Sequence, residues 1–129
     1  MRVVPKDWGH EHWIENNSLY CLKMISCQNQ IWSSSGKFHY HRVKDETFYV
    51  IEGILELDYV KEDGIIVSGF LREGDSVRIF PGTKHRFRSA TPRCRFIEAS
   101  TQHFEEDSVR TKYVVTGHKR GEWVDDATD

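Results

Sequence analysis

His39 and His41, with one residue between them, precede Glu46 within the run from His39 to Gly53. Imidazole nitrogens and a carboxylate are good ligands for divalent transition metals. Along an extended strand side chains alternate faces, so His39 and His41 point one way and Phe38 and Tyr40 the other. Glu46 opens a second extended run that ends at Glu52, and a short bend between the two runs returns its carboxylate to the imidazoles. A fourth ligand is available in His85, at the end of Gly74-Asp75-Ser76-Val77-Arg78-Ile79-Phe80-Pro81-Gly82-Thr83-Lys84-His85. Three imidazoles and one carboxylate suit Mn, Fe, Ni, Zn or Co, with positions left open for a substrate.

A second candidate for chemistry is Glu98. Alternation along Arg93–Ser100 puts Cys94, Phe96, Glu98 and Ser100 on one face. A carboxylate that shares a face with Phe96 is costly unless it is paired or functional. Glu98 is therefore either a proton-transferring base or one half of a buried salt bridge to a barrel arginine. Lys44 lies among the ligands and has the bland reading of an exposed loop lysine. His10 and His12 form another spaced pair, but no third ligand stands nearby at usable spacing. His103 reads as a mouth or surface residue, and His118 has no motif context.

These side chains need strands to hold them. The extended runs are 20–26, 31–34, 37–41, 47–52, 54–61, 65–71, 76–80, 85–90, 93–100 and 112–115. Asp63-Gly64 between two apolar runs is a hairpin signal, Gly53 a tight corner and Thr91-Pro92 another turn. No segment carries a helical period over ten or more residues. The first fifteen residues and the last dozen are the least regular, and the Asp-rich end from Asp125 to Asp129 is expected to fray. Many short strands in a small chain predict an all-β sandwich or barrel. Phe48 and Val50, on the Glu46 face, and Phe87, on the His85 face, would then form a dry wall round the ligands. Imidazoles bind metal only when neutral, so affinity should fall in acid.

The chain has 129 residues and a net charge of -2, which suits one domain and favours neither nucleic acid nor an anionic membrane as partner. No apolar leader or membrane-spanning run is present in the sequence. Cys21, Cys27 and Cys94 lack metal-finger spacing and read as reduced thiols in a cytoplasmic protein. Lys84, Arg86, Arg88, Arg93 and Arg95 cluster, either on a solvated outer sheet face or beside a sugar phosphate or acidic sugar.

The spacing of His39, His41, Glu46 and Gly53, followed by Gly74 to His85, resembles the two motifs of the cupin superfamily. Ser33 and Ser89 stand where those motifs usually have Gly and Asn, and Pro81-Gly82 is compressed from Pro-x-Gly. The resemblance implies a double-stranded β-helix, the cupin jelly roll, over 1–129 as a single domain. Its first motif falls at about 33–53 and its second at about 74–89. It also implies one divalent metal on His39, His41, Glu46 and His85, with manganese first in order, and a homodimer built through sheet pairing.

Lys6-Asp7-Trp8-Gly9-His10-Glu11-His12-Trp13 is similar to the opening of small sugar-isomerase-type cupins, those like mannose-6-phosphate isomerase. In that alignment His10 and His12 are variable positions and the tryptophans pack over a barrel end. The spacing of His39, His41, Lys44 and Glu46 is similar to that of D-lyxose isomerases. Glu98-Ala99-Ser100 matches a late segment of the same enzymes, and Ser100 to Phe104 with Asp107 and Arg110 resembles the tail of the mannose-6-phosphate isomerase-like group. The resemblance implies an aldose-ketose isomerase acting on a small sugar or sugar phosphate, with Glu98 as base and Lys44 as acid/base partner. The alternatives are an Fe(II) dioxygenase on the same ligands and a non-catalytic sugar sensor.

Overall fold

Short strands broken by Gly, Pro, Asp and Ser turns dominate the computed structural model, which describes residues 2–115, 117 and 121–126. The strands are β1 (Arg2–Lys6), β2 (Gly9–Asn16), β3 (Cys21–Gln28), β4 (Phe38–His41), β5 (Glu46–Glu52), β6 (Leu55–Val60), β7 (Ile66–Leu71), β8 (Ser76–Ile79), β9 (His85–Ser89), β10 (Arg93–Ser100), β11 (Ser108–Val114) and β12 (Glu122–Asp125). They form two antiparallel six-stranded sheets, ordered β1-β2-β3-β10-β5-β8 and β12-β11-β4-β9-β6-β7. This is the all-β jelly roll that the sequence predicts.

Alternation fills the space between the sheets. Ile25, Phe48, Val50, Leu55, Leu57, Phe87 and Phe96 are buried together. The Phe96 ring lies 4.7 Å from Phe48 and 5.3 Å from Phe87, centroid to centroid. Each such side chain contributes about 1.5–3 kcal/mol by leaving water. The apolar wall therefore carries the fold and also keeps one end of the interior dry.

Three expectations are corrected. The first fifteen residues are not irregular, because β1 and β2 form a hairpin in register from Arg2↔Trp13 to Lys6↔Gly9. Gly9 closes it at φ 149°, where a Cβ would stand 1.9 Å from the Ser26 carbonyl oxygen. The strand expected over 31–34 is replaced by a 3-10 turn, Ser33–Gly36, in which Ser34 and Ser35 sit in the left-handed region. The buried Ser33 hydroxyl accepts from the Phe87 amide at 3.0 Å, a bond that ties this turn to β9. The acidic end is anchored where it is described. Asp125 accepts from the Tyr40 hydroxyl at 2.7 Å, and Asp126 pairs with Lys37. Residues 127–129 and His118 lie outside the described residues.

The two predicted glycine corners hold. The Gly64 amide donates to Lys61 O at 2.8 Å, which completes the turn between β6 and β7. Gly53 has φ 78°, and a Cβ there would meet Arg93 O at 2.2 Å. The basic cluster lies away from the interior. Arg86 pairs with Asp58 at 3.0 Å and Arg88 with Glu56 at 2.9 Å, and both guanidiniums lie over Trp32. The three cysteines are free and buried.

Candidate active site

The β4–β9 pairing sets His39 directly opposite His85. Their ring centroids are 4.2 Å apart, and His39 lies 5.5 Å from His41. Two turns fix this arrangement. The Gly82 amide donates to His41 O at 2.7 Å, and this bond holds the Pro81-Gly82 turn against β4. Just beyond it, His85 Nδ1 donates to Thr83 O at 2.8 Å, which leaves its Nε2 as a lone pair. Glu46 enters from β5 in the facing sheet. Its Oε2 lies 3.6 Å from both His41 Nε2 and His85 Nε2.

These groups are under-satisfied. Among the described residues, His39 Nδ1, His41 Nδ1 and His85 Nε2 are buried without a hydrogen-bond partner. Such atoms normally find partners, and leaving one unpaired costs about 1–3 kcal/mol. Burial, reinforced by neighbouring positive charge, lowers His41 to about 2, and burial lowers His85 to about 4, so both are neutral at neutral pH. Burial also drives His39 well below its ordinary range. Burial, then the charge of Glu98, pushes Glu46 up to about 8. Neutral lone-pair nitrogens round a buried carboxyl group whose Oε2 faces two of them fit a divalent cation. Among the described residues no three such side chains are already closed to ligating geometry.

A second cluster adjoins the first. Lys44 Nζ donates to Glu98 Oε2 at 2.9 Å and lies 3.8 Å from Glu46 Oε1. Lys44 is not an exposed loop lysine: its side chain is 2% exposed. Its loop is held from outside, because the Asp107 carboxylate accepts from the Val43 and Lys44 amides at 2.9 and 3.0 Å. Asp45 beside it takes a two-pronged bond from Arg78. The partner of Glu98 is thus a lysine, not the arginine left open by the sequence. Burial pushes Glu98 up, but the Lys44 and Lys23 ammoniums overcome it and bring the carboxyl down to about 2. Burial works against the charge on Lys44, while Glu98 and Glu46 hold its pKa above the ordinary lysine range.

Five of the six predicted side chains, His39, His41, Lys44, Glu46 and Glu98, line one cavity of about 910 Å³, which Lys23, Trp13 and His103 also line, and His85 adjoins it through His39 and Glu46. Lys23 and the Asp107 clamp were not picked out from the sequence. Lys23 stands opposite Glu98 on β3, where alternation along Cys21-Leu22-Lys23 could have revealed it. His103, expected at the mouth or surface, turns Nδ1 toward Lys44 at 3.1 Å and Lys23 at 3.4 Å. His10 and His12 pair with each other, ring to ring, at 5.8 Å and do not line this cavity. Trp8 packs edge-on against Phe87 at the base of the cavity, and Trp13 lines it as well.

The cupin domain family matches residues 33–99, more than half of the chain, and the chain belongs to that family. No curated protein matches by sequence. Among solved structures, KdgF from Halomonas sp. superposes with a TM-score of 0.67 at 15% identity, over 82% of this chain and 92% of that one. The capsular polysaccharide assembling protein CapF from Staphylococcus aureus gives 0.71 at 16%, over 83% of this chain and 33% of that one. Oxalate decarboxylase from Bacillus subtilis gives 0.71 at 16%, over 84% and 29%. This chain thus spans about a third of the latter two, and at these identities the likeness is one of fold.

Proposed function

We propose that this cupin is a metal-dependent aldose-ketose isomerase for a small sugar or sugar phosphate. The observation that carries the reading is the buried Lys44–Glu98 pair, 2.9 Å apart, beside the His39, His41, Glu46 and His85 cluster. His39, His41, Glu46 and His85 would hold the ion, manganese being the first choice. A divalent ion there supplies a Lewis acid that polarises a carbonyl and its neighbouring hydroxyl.

The chain's own residues then move the proton. Isomerisation takes a hydrogen from the carbon beside the carbonyl and returns it one carbon along. Glu98 is ionised at neutral pH and so is ready to accept it. A carboxylate with so low a pKa is a weak base while Lys44 binds it. As the C–H proton leaves, negative charge grows on the substrate oxygen. Lys44 can then transfer its hydrogen bond from Glu98 to that oxygen, which strengthens Glu98 as a base during the step that uses it. Phe48 and Phe87 line the same cavity and limit the water that would screen this exchange. Support for sugar chemistry comes from the indole of Trp13 on the cavity wall. CapF, of similar fold, is a capsular polysaccharide assembling protein.

The test is incubation of manganese-loaded protein with aldoses, ketoses and their phosphates in deuterated water, followed by NMR. Deuterium beside the carbonyl carbon together with isomer formation supports proton transfer through the protein. Oxygen consumption with a substrate would replace this reading by the dioxygenase, and binding without turnover by the sensor. We also propose a homodimer. Edge strand β7 of the second sheet exposes Ile66 and Phe70, and pairing would cover them.

A further inference from the structure

Lys23 is the buried cation to which the isomerase reading assigns no contact with the substrate. It is 2% exposed, is the third residue of β3 and lines the cavity. A buried ammonium has three N–H groups to satisfy. Its nearest acceptor is His103 Nδ1 at 3.4 Å, a single lone pair that Lys44 approaches more closely at 3.1 Å. Glu11 and Glu98 lie at 3.6 and 3.9 Å, beyond hydrogen-bond reach. The Glu11 oxygen that Lys23 faces already accepts the Trp13 indole N–H at 2.9 Å. What Lys23 does have is the face of Trp13, with Nζ 4.0 Å from the ring centroid.

Around Lys23 the cavity lining carries charges of both signs, Asp7 and Glu11 among the acidic ones. Arg2 also lies over Trp13, 4.8 Å from the centroid, and Lys6 follows it along the same cavity wall. Arg2 and Lys6 form no ion pair among the described residues. A site for a neutral sugar needs no buried, under-satisfied ammonium on its wall. Such a cation is costly to bury unless an acceptor arrives with the ligand.

We infer that Lys23 is a specificity-determining residue that donates to an anionic oxygen group, carboxylate or phosphate, of the substrate, with Trp13 against the adjoining carbon skeleton. The inference rests on the reading of this cavity as a sugar site. It adds that the sugar is acidic or phosphorylated and assigns the group that reads the charge. Trp13 is held for this by its bond to Glu11 and by the edge of His103, centroids 4.8 Å apart.

The experiment is calorimetric titration of zinc-loaded protein with paired probes, D-galactose against D-galacturonate and D-mannose against D-mannose 6-phosphate. We expect the anionic member of at least one pair to bind about tenfold or more tightly than its neutral partner. The pair that shows the preference separates carboxylate from phosphate. Lys23→Met should bring that ratio close to one while affinity for the neutral partner and metal content stay unchanged, and Lys23→Arg should retain the preference. Equal affinity within both pairs for the wild-type protein overturns the inference without recourse to a variant. So does a preference that survives in Lys23→Met. Charge-dependent binding without isomerisation would overturn the isomerase and leave this subsite standing; equal turnover of neutral and anionic sugars would do the reverse.

Discussion

Lys44 and Glu98, 54 residues apart in sequence, meet at 2.9 Å with both side chains buried. Glu98 has a nearer neighbour along the sheet in Lys23, directly opposite on β3, yet that ammonium stands 3.9 Å away. The carboxylate thus turns from its cross-strand partner toward the loop that carries Lys44. A buried ion pair contributes little net stability once desolvation is counted, so this arrangement is better explained by chemistry than by folding.

That relationship gives the first prediction. Glu98→Gln keeps the shape of the side chain and removes the base. It should lower turnover by about 10²–10⁴-fold while metal content and the melting curve stay close to wild type. Lys44→Met should cost less if lysine only assists at oxygen. Steady-state kinetics on whichever sugar the NMR screen identifies would check both, and undiminished turnover in Glu98→Gln removes it from the mechanism.

For the metal, His41→Ala and His85→Ala should each lose most bound divalent ion yet retain their β-structure. His10→Ala and His12→Ala should keep it. Elemental analysis of untagged protein decides, and full occupancy in either of the first two variants refutes the ligand assignment.

Stability of the metal-free protein should depend on pH in a defined direction. His41, His85 and His103 lie at about 2, 4 and 4 in the fold against an ordinary 6.5. The unfolded chain therefore takes up protons first, and stability present above 6.5 is lost as pH falls toward 4. Glu46 acts oppositely, since a carboxyl raised to about 8 from 4.5 costs stability as pH rises through that window. The imidazoles outnumber it. Metal-free protein should melt lower at about pH 5 than at about pH 6.5, with no gain from about pH 6.5 to 8. Added manganese should raise the melt most at the upper end, where Glu46 must otherwise stay protonated. Thermal melts with and without chelator test this.

Asp107→Ala should act at a distance. It strips the acceptor from two amides of the Lys44 loop, at about 1–3 kcal/mol for buried groups left unpaired. Denaturant unfolding should show that loss, and turnover should fall as Lys44 loses its placement. Asp107→Asn, which keeps one acceptor oxygen, should lie between.

Much of this site can be read from the chain, because strand alternation and ligand spacing are local. His39, His41, Glu46 and His85 are set by short turns, and the inward face of Glu98 follows from its place beside Phe96. The partner of Glu98 is not legible, because it depends on a loop clamped by Asp107, a residue 63–64 positions away from the amides it holds. The N-terminal hairpin was missed because its inward residues include Glu11 and Trp13, so its alternation is not one of apolar against polar. Ser33 and Ser89 look like losses from the motifs, yet both hydroxyls are used. Ser33 accepts from Phe87 N and Ser89 from Gln30 N, each at 3.0 Å, so serine supplies by hydrogen bonding what the usual residues supply by turn geometry.

The Gly53 corner has a wider meaning. A side chain there would strike Arg93 O, so β10 must pass at van der Waals distance from the end of β5. From that point the register runs back along both strands, through one bulge between Arg95↔Glu52 and Phe96↔Val50, to Phe48↔Glu98 and Glu46↔Ser100. The interval from Glu46 to Gly53 thus works as a gauge block: it sets how far the ligand-bearing strand slides against the strand that carries the base. Inserting one residue between Glu46 and Val50, where the pairing is regular, would flip one of the two carboxylates to the outer face, separating cation binding from proton transfer even with every site residue retained.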